Sequence, residues 1–186
     1  MEDIKHIKIA VVGSSGSGKS TFCQQAPIYW KNAFQFDWIE LNDPEQIIHH
    51  HPDVVVQIVD CTDLDESLVI TPQLIDMHQK LVLALNRYDQ LVATDHSVDY
   101  EQLGRLMGVQ AFPVNALDGK GVDTIVEGVV AAYEEREHAS RHVHVVYGSD
   151  IENAITNLIE EVAKYLTLVI LIPSAISPSV CWSVLR

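Results

Sequence analysis

Apolar positions in this chain come in short blocks separated by segments of helical length. Ile7, Ile9, Ala10, Val11 and Val12 make a first strand over residues 5–12. Within residues 33–41, Phe34, Phe36 and Trp38 recur at period two, the spacing of a strand with one face in the core. Val54, Val55, Val56, Ile58 and Val59 form a nearly unbroken apolar run, and residues 81–85 form another. Such runs mark strands buried on both faces of a parallel sheet. A further strand is expected over residues 110–114.

The intervening segments read as helices. Asn42-Asp43-Pro44 supplies a cap and a first-turn proline, and that helix ends at His49-His50-His51-Pro52. Residues 65–79 are helical in pattern but contain Thr71-Pro72, where the helix either kinks or begins. Residues 100–107 form a short helix closed by Gly108, and residues 122–136 a longer one with Ile125, Val126, Val129, Val130 and Tyr133 at helical spacing. Strands alternating with helices predict a three-layer α/β fold around a mainly parallel sheet.

A second piece follows. Residues 142–147 read as extended, and residues 150–166 as a helix capped by Ser149 or Asp150. This divides the chain into residues 1–140, one α/β domain, and residues 141–186, a helical extension with an apolar tail. From Tyr165 to Leu185 there are 21 residues without a charge, long enough to cross a bilayer, although Pro173, Pro178 and five serines or threonines argue against it. A docked apolar strand with a loop, or the ragged end of a longer protein, fits the same stretch.

Composition narrows the partners. A length of 186 residues with 47% hydrophobic content supports one core. The formal charge of −14, from 26 acidic against 12 basic residues, repels a nucleic-acid backbone and argues against such a partner. Cys23, Cys61 and Cys181 are widely spaced and show no paired motif, which fits a reducing cytoplasm. The acidic start MEDIKHIKIA leaves no room for a signal peptide before the first strand.

The chemistry begins at Gly13-Ser14-Ser15-Gly16-Ser17-Gly18-Lys19-Ser20, a complete GxxxxGKS run between the first strand and the helix-compatible Thr21-Phe22-Cys23-Gln24-Gln25. Glycines let the backbone wind around a polyphosphate with its N–H groups pointing inward, and the following helix aims its N-terminus at the same charge. Lys19 is expected to reach the outer phosphates and Ser20 to ligate Mg²⁺, with Thr21 next in the loop. Proline at position 27 keeps that helix short.

A second motif selects the base. Directly after residues 81–85 comes Asn86-Arg87-Tyr88-Asp89, an NKxD pattern with arginine in place of lysine. Asp89 can accept from guanine N1–H and from its exocyclic amine, Asn86 can brace the loop, and Arg87 can lay its stem along the ring. After the next strand, Asn115-Ala116-Leu117 occupies the place where a backbone N–H would meet the guanine O6. An ordinary strand-end turn accounts for those three residues nearly as well.

The stretch PDVVVQIVDCTDLDESLVITPQLIDMHQKLVLALNRYDQL, followed by VNALDGKGVD and VYGSDIENAITNLIEEV, resembles the N-terminal cytosolic G domain of the bacterial ferrous iron transport protein B family. The resemblance covers residues 5–25 and about 52–165. It implies a P-loop NTPase G domain, reduced in its second and third strands, that binds GTP or GDP with Mg²⁺. By implication Gly13, Gly16, Gly18, Lys19 and Ser20 hold the phosphates, Asn86, Asp89 and Ala116 meet the base, and the helix from Asp150 begins a spacer. The implied partner is the membrane permease part of an iron transporter, with the domain at the inner face of the cell membrane.

Departures from that pattern bear on turnover. No threonine lies between Thr21 and Thr62, and no glycine between Gly18 and Gly104, so neither a switch threonine nor a DxxG is spelled. Asp43-Pro44-Glu45-Gln46 is the nearest remnant. Hydrolysis is therefore expected to be slow or absent. Two other readings stand beside this one: a non-catalytic guanine-nucleotide adaptor, and a small ATP-dependent P-loop kinase, which needs a basic lid that the sparse Arg87, Arg105, Arg136, Arg141 and Arg186 do not suggest. His49, His50 and His51 are adjacent and point in different directions, so they read as a solvated helix end rather than a metal site.

Overall fold

The computed structural model describes residues 4–31, 33–94 and 97–134, and beyond them only the helical positions Asn153 and Asn157. These last two belong to a second compact unit, His144–Arg186, while the strands and the site belong to the first, Met1–Val143. The extended segment expected at residues 142–147, most of the helix at 150–166 and the apolar tail lie outside the described residues.

Six strands form one sheet: β1 (Lys5–Gly13), β2 (Tyr29–Trp30), β3 (Phe34–Glu40), β4 (Val54–Asp60), β5 (Leu81–Asn86) and β6 (Gln110–Val114), in the order β2-β3-β1-β4-β5-β6. All neighbouring pairs are parallel except β2 with β3. The apolar runs behave as their composition dictates, since every residue of β4 and β5 is buried. Side chains alternate between two cores. Ile9, Val11, Val56, Ile58 and Ala84 face one with Ile125 and Val129, whereas Ala10, Val12, Val55, Val59 and Leu83 face the other with Leu74. Each fully buried Val, Leu or Ile contributes roughly 1.5–3 kcal/mol, so the central strands are the most firmly held part of the sheet.

Among the described residues up to 134, seven helices accompany them: α1 (Lys19–Gln25), α2 (Ile47–His50), α3 (Leu64–Ser67), α4 (Thr71–Asp76), α5 (Tyr88–Ala93), α6 (Tyr100–Met107) and α7 (Val122–Glu134). Asp43 caps a 3₁₀ turn ahead of α2 by accepting from the Glu45 N–H at 2.9 Å, with Pro44 in the first turn. The Thr71-Pro72 ambiguity resolves into two helices, with Pro72 in the first turn of the second. Gly108 closes α6 in a left-handed conformation, φ +68°.

Two elements were not legible as pattern. The strand β2 has only two residues, and the reduction expected in this region falls on it. It is folded back on β3 by a tight turn in which the Ala33 N–H donates to the Trp30 carbonyl at 3.1 Å. The helix α5 starts straight after β5 from Arg87, whose left-handed backbone at φ +59° turns the chain. The connection from α1 to β2 is three residues, 26–28.

Candidate nucleotide-binding site

Residues 13–18, Asn86, Arg87 and residues 115–117 lie at the carboxyl ends of β1, β5 and β6 or in the turns just beyond them, with Lys19, Ser20 and Thr21 at the start of α1 and Asp89 at the start of α5. That edge is where open α/β sheets bind their ligands. The loop after β1 wraps back on itself. The Lys19 ammonium donates to the carbonyl oxygens of Gly13 at 2.8 Å and Ser14 at 3.1 Å, and Lys19 is 8% exposed. Gly18 has φ +99°, and a Cβ there would sit 2.4 Å from Asn86 Nδ2, so both backbone angle and space demand glycine.

Asn86 joins the two halves of the site. Its Nδ2 donates to the Ser17 carbonyl at 2.8 Å, and its Oδ1 accepts from the Ala116 N–H at 3.0 Å. Being 4% exposed, it ties the phosphate loop to the turn after β6 in a place that water reaches poorly. Asp89 is exposed, and its Oδ2 accepts from Asn115 Nδ2 at 3.0 Å. The Asn115 side chain also accepts from the Leu117 N–H at 3.0 Å, so that turn is held by its own residues. Leu117 is 74% exposed, an apolar side chain in the turn after β6. A cavity of about 460 Å³ borders the same pair, lined by Tyr88, Asp89, Tyr100, Phe112, Asn115 and Lys120 among others, and by no residue of the phosphate loop.

Arg87 lies between the loops. Its guanidinium pairs with the Asp60 carboxylate and donates to the Gly16 carbonyl at 3.2 Å. Ser14 reaches a different element, its hydroxyl lying 3.2 Å from that of Ser67 on α3. Ser17 is buried and its hydroxyl has no partner among the described residues, while Ser15 is exposed and Thr21 is half-buried on α1.

Two acidic residues with a place in the site, Asp60 and Glu40, escaped the sequence reading. Glu40, the last residue of β3, lies beside Val11 in the parallel register, two residues before Gly13. The Ser20 hydroxyl donates to its Oε1 at 2.8 Å. A carboxylate and a hydroxyl side by side at a phosphate loop form an oxygen donor set of the kind a hard divalent cation accepts. Asp43, in the nearest remnant of a DxxG, caps its own turn, and the carboxylate at Ser20 comes from Glu40 instead. The available signal was the end of an alternating strand adjacent to β1, without any glycine to complete a motif.

Two thiols flank these groups. Burial pushes Cys23 up to about 11, helped by the negative charge of Glu40 and opposed by Lys19. Cys61 rises to about 12, again mainly from burial, with Asp60 and Asp89 adding to it. Both are therefore protonated near neutral pH. His49 and His50 lie on α2 and His51 caps it, and the His50 carbonyl accepts from the Lys8 ammonium at 3.0 Å.

The family profile described as Ferrous iron transport protein B matches residues 40–129. A fusion protein of Fe(2+) transport protein A and Fe(2+) transporter FeoB from Porphyromonas gingivalis is 30% identical over 123 residues, which is 66% of this chain and 15% of the relative. Among solved structures, the FeoB G-domain from Methanococcus jannaschii superposes with a TM-score of 0.66 at 26% identity, covering 71% of this chain and 100% of that one. The cytosolic domain of the T. maritima FeoB iron transporter in a GDP form gives a TM-score of 0.75 at 17% identity over 82% of this chain and 72% of that one, a likeness of fold alone. With its phosphate loop, its Asn86 tie and these matches, the chain carries an N-terminal G domain of the ferrous iron transport protein B family.

Proposed function

We propose that this domain binds GDP and GTP together with Mg²⁺, that it hydrolyses GTP slowly, and that it regulates the membrane part of a ferrous iron transporter from the cytoplasmic side. The observation that carries the binding claim is Asn86, which holds Ser17 of the phosphate loop and Ala116 of the base loop at 2.8 and 3.0 Å. Asp89, three residues after Asn86, would accept from the N1–H and exocyclic amine that guanine offers and adenine lacks. Gly13, Gly16, Gly18 and Lys19 would hold the phosphates. Ser20 and Glu40 would hold the cation, whose chemistry is to neutralise phosphate charge.

Slow turnover follows from the short route between α1 and β2. Three residues, 26–28, connect them, too few to fold over an outer phosphate and supply a group to it. The chain spans 15% of the length of its P. gingivalis relative, and the partnership with a permease rests on that relationship.

Equilibrium binding of mant-GDP with Mg²⁺ tests the proposal. Micromolar or tighter affinity, displaced by GDP and not by ADP, is expected, with phosphate release from GTP near background. Displacement by ADP would favour the kinase reading, and rapid phosphate release would remove the slow-turnover claim.

A further inference from the structure

Arg87 stands where the phosphate loop, the base-reading loop and β4 meet, and Asp60 is what fixes it there. Asp60 ends β4 and uses both of its carboxylate oxygens. Oδ1 accepts from the Thr62 N–H at 2.9 Å and the Thr62 hydroxyl at 2.7 Å, which leaves Oδ2 for the guanidinium. With one edge of Arg87 taken, its other terminal nitrogen donates to the Gly16 carbonyl at 3.2 Å.

A second route runs from the main chain of the same residue. The Asp60 N–H donates to the Ser67 hydroxyl at 3.1 Å, and that hydroxyl meets the Ser14 hydroxyl at 3.2 Å. Asp60 therefore reaches the phosphate loop at two positions, Ser14 and Gly16, through two different neighbours. The side chains of Arg87 and Asp60 are 37% and 11% exposed, so the carboxylate is largely desolvated. Taking away one partner of such a pair leaves an uncompensated charge in a poorly hydrated place.

We propose that Asp60 is a positioning residue for nucleotide retention. It pins Arg87 against the Gly16 carbonyl, so that the loop releases a bound guanine nucleotide only when the Asp60–Arg87 pair breaks. This rests on the guanine-nucleotide reading above. Because Asp60 acts through Arg87, the two must be coupled: either change should exhaust the effect of the other.

The experiment follows displacement of mant-GDP by excess GDP in stopped flow, using the full chain. Four proteins are compared: wild type, Asp60→Asn, Arg87→Met and the double variant. Asparagine keeps the Oδ1 acceptor for Thr62 and the volume while removing the charge. Each single variant is expected to release mant-GDP about 10-fold faster, with association changed less than about 3-fold, and the double variant to be no faster than the faster single one. Wild-type release from Asp60→Asn overturns the inference. So does an equal acceleration by Asp60→Asn in the wild-type and Arg87→Met backgrounds. Should Asp60→Asn not fold by circular dichroism, Arg87→Met at its half-exposed position decides alone, and an unchanged release rate overturns the inference. Wild-type protein that fails to bind mant-GDP sinks the nucleotide reading and this inference with it, whereas tight binding with unaltered release in the variants removes this inference only.

Discussion

The Ser20 hydroxyl donates to the Glu40 carboxylate at 2.8 Å, joining the first turn of α1 to the end of β3. The carboxylate is exposed, so it is free to exchange that hydrogen for a cation. Replacing it by alanine, Glu40→Ala, is expected to cut the Mg²⁺-dependent gain in nucleotide affinity about 10-fold while leaving affinity in EDTA unchanged. Titration of mant-GDP with and without Mg²⁺ checks this. An equal loss in both conditions would assign Glu40 a structural part only.

Asn86→Ala removes two buried hydrogen bonds and leaves the Ser17 carbonyl and the Ala116 N–H without their partner. The expected cost is about 2–4 kcal/mol of folding stability. Urea denaturation monitored by circular dichroism measures it, and a loss below about 0.5 kcal/mol would mean that both groups find water instead.

Asp89→Asn changes an acceptor into a mixed donor and acceptor at the base. Loss of two charge-assisted hydrogen bonds is expected to weaken GDP binding about 100-fold. Xanthosine diphosphate, which offers an oxygen where guanine has its amine, is expected to gain affinity over the wild type. Competition of the two nucleotides against mant-GDP reads both changes, and unaltered GDP affinity would place the base elsewhere.

The thiols give a pH dependence of definite sign. Folded Cys23 and Cys61 titrate at about 11 and about 12, above the 9.0 of a free thiol, because burial disfavours the thiolate. The stabilisation this brings is complete below pH 9.0 and is lost as pH rises through 11 and 12, as the unfolded chain ionises first. In a Cys181→Ser background, iodoacetamide at pH 8 is expected to modify the folded protein about 100-fold more slowly than the urea-unfolded chain. Mass spectrometry over time follows the labelling, and comparable rates would show that burial does not protect these positions.

Gly18→Ala brings a Cβ to 2.4 Å from Asn86 Nδ2 at a residue with φ +99°. About 2–4 kcal/mol of destabilisation is expected, together with weaker mant-GDP binding, since strain and the displaced Asn86 act in the same direction. Differential scanning fluorimetry and mant-GDP titration test the two effects separately.

The contrast between what sequence revealed and what it concealed has physical causes. Val54–Asp60 and Leu81–Asn86 were legible because strands covered on both faces are apolar along most of their length. The phosphate loop was legible because its chemistry needs glycines and a lysine at fixed spacing. Glu40 was hidden, since its role comes from the register of β3 on β1 and from no local spelling. Asp60 was equally silent: nothing in the order of residues says that a carboxylate at the end of β4 will find Arg87, 27 positions later. A two-residue strand such as β2 carries too little periodicity to be read at all.

The three residues between α1 and β2 have a consequence for what kind of signal the domain can send. A segment that closes over the third phosphate lets a protein tell a charged nucleotide from a spent one, in effect to keep time. With the proposed ligand held by loops that meet its base and its inner phosphates, this domain would instead register presence against absence. Its output would then follow the concentration of guanine nucleotide and the slowness of its departure, like a gauge rather than a clock.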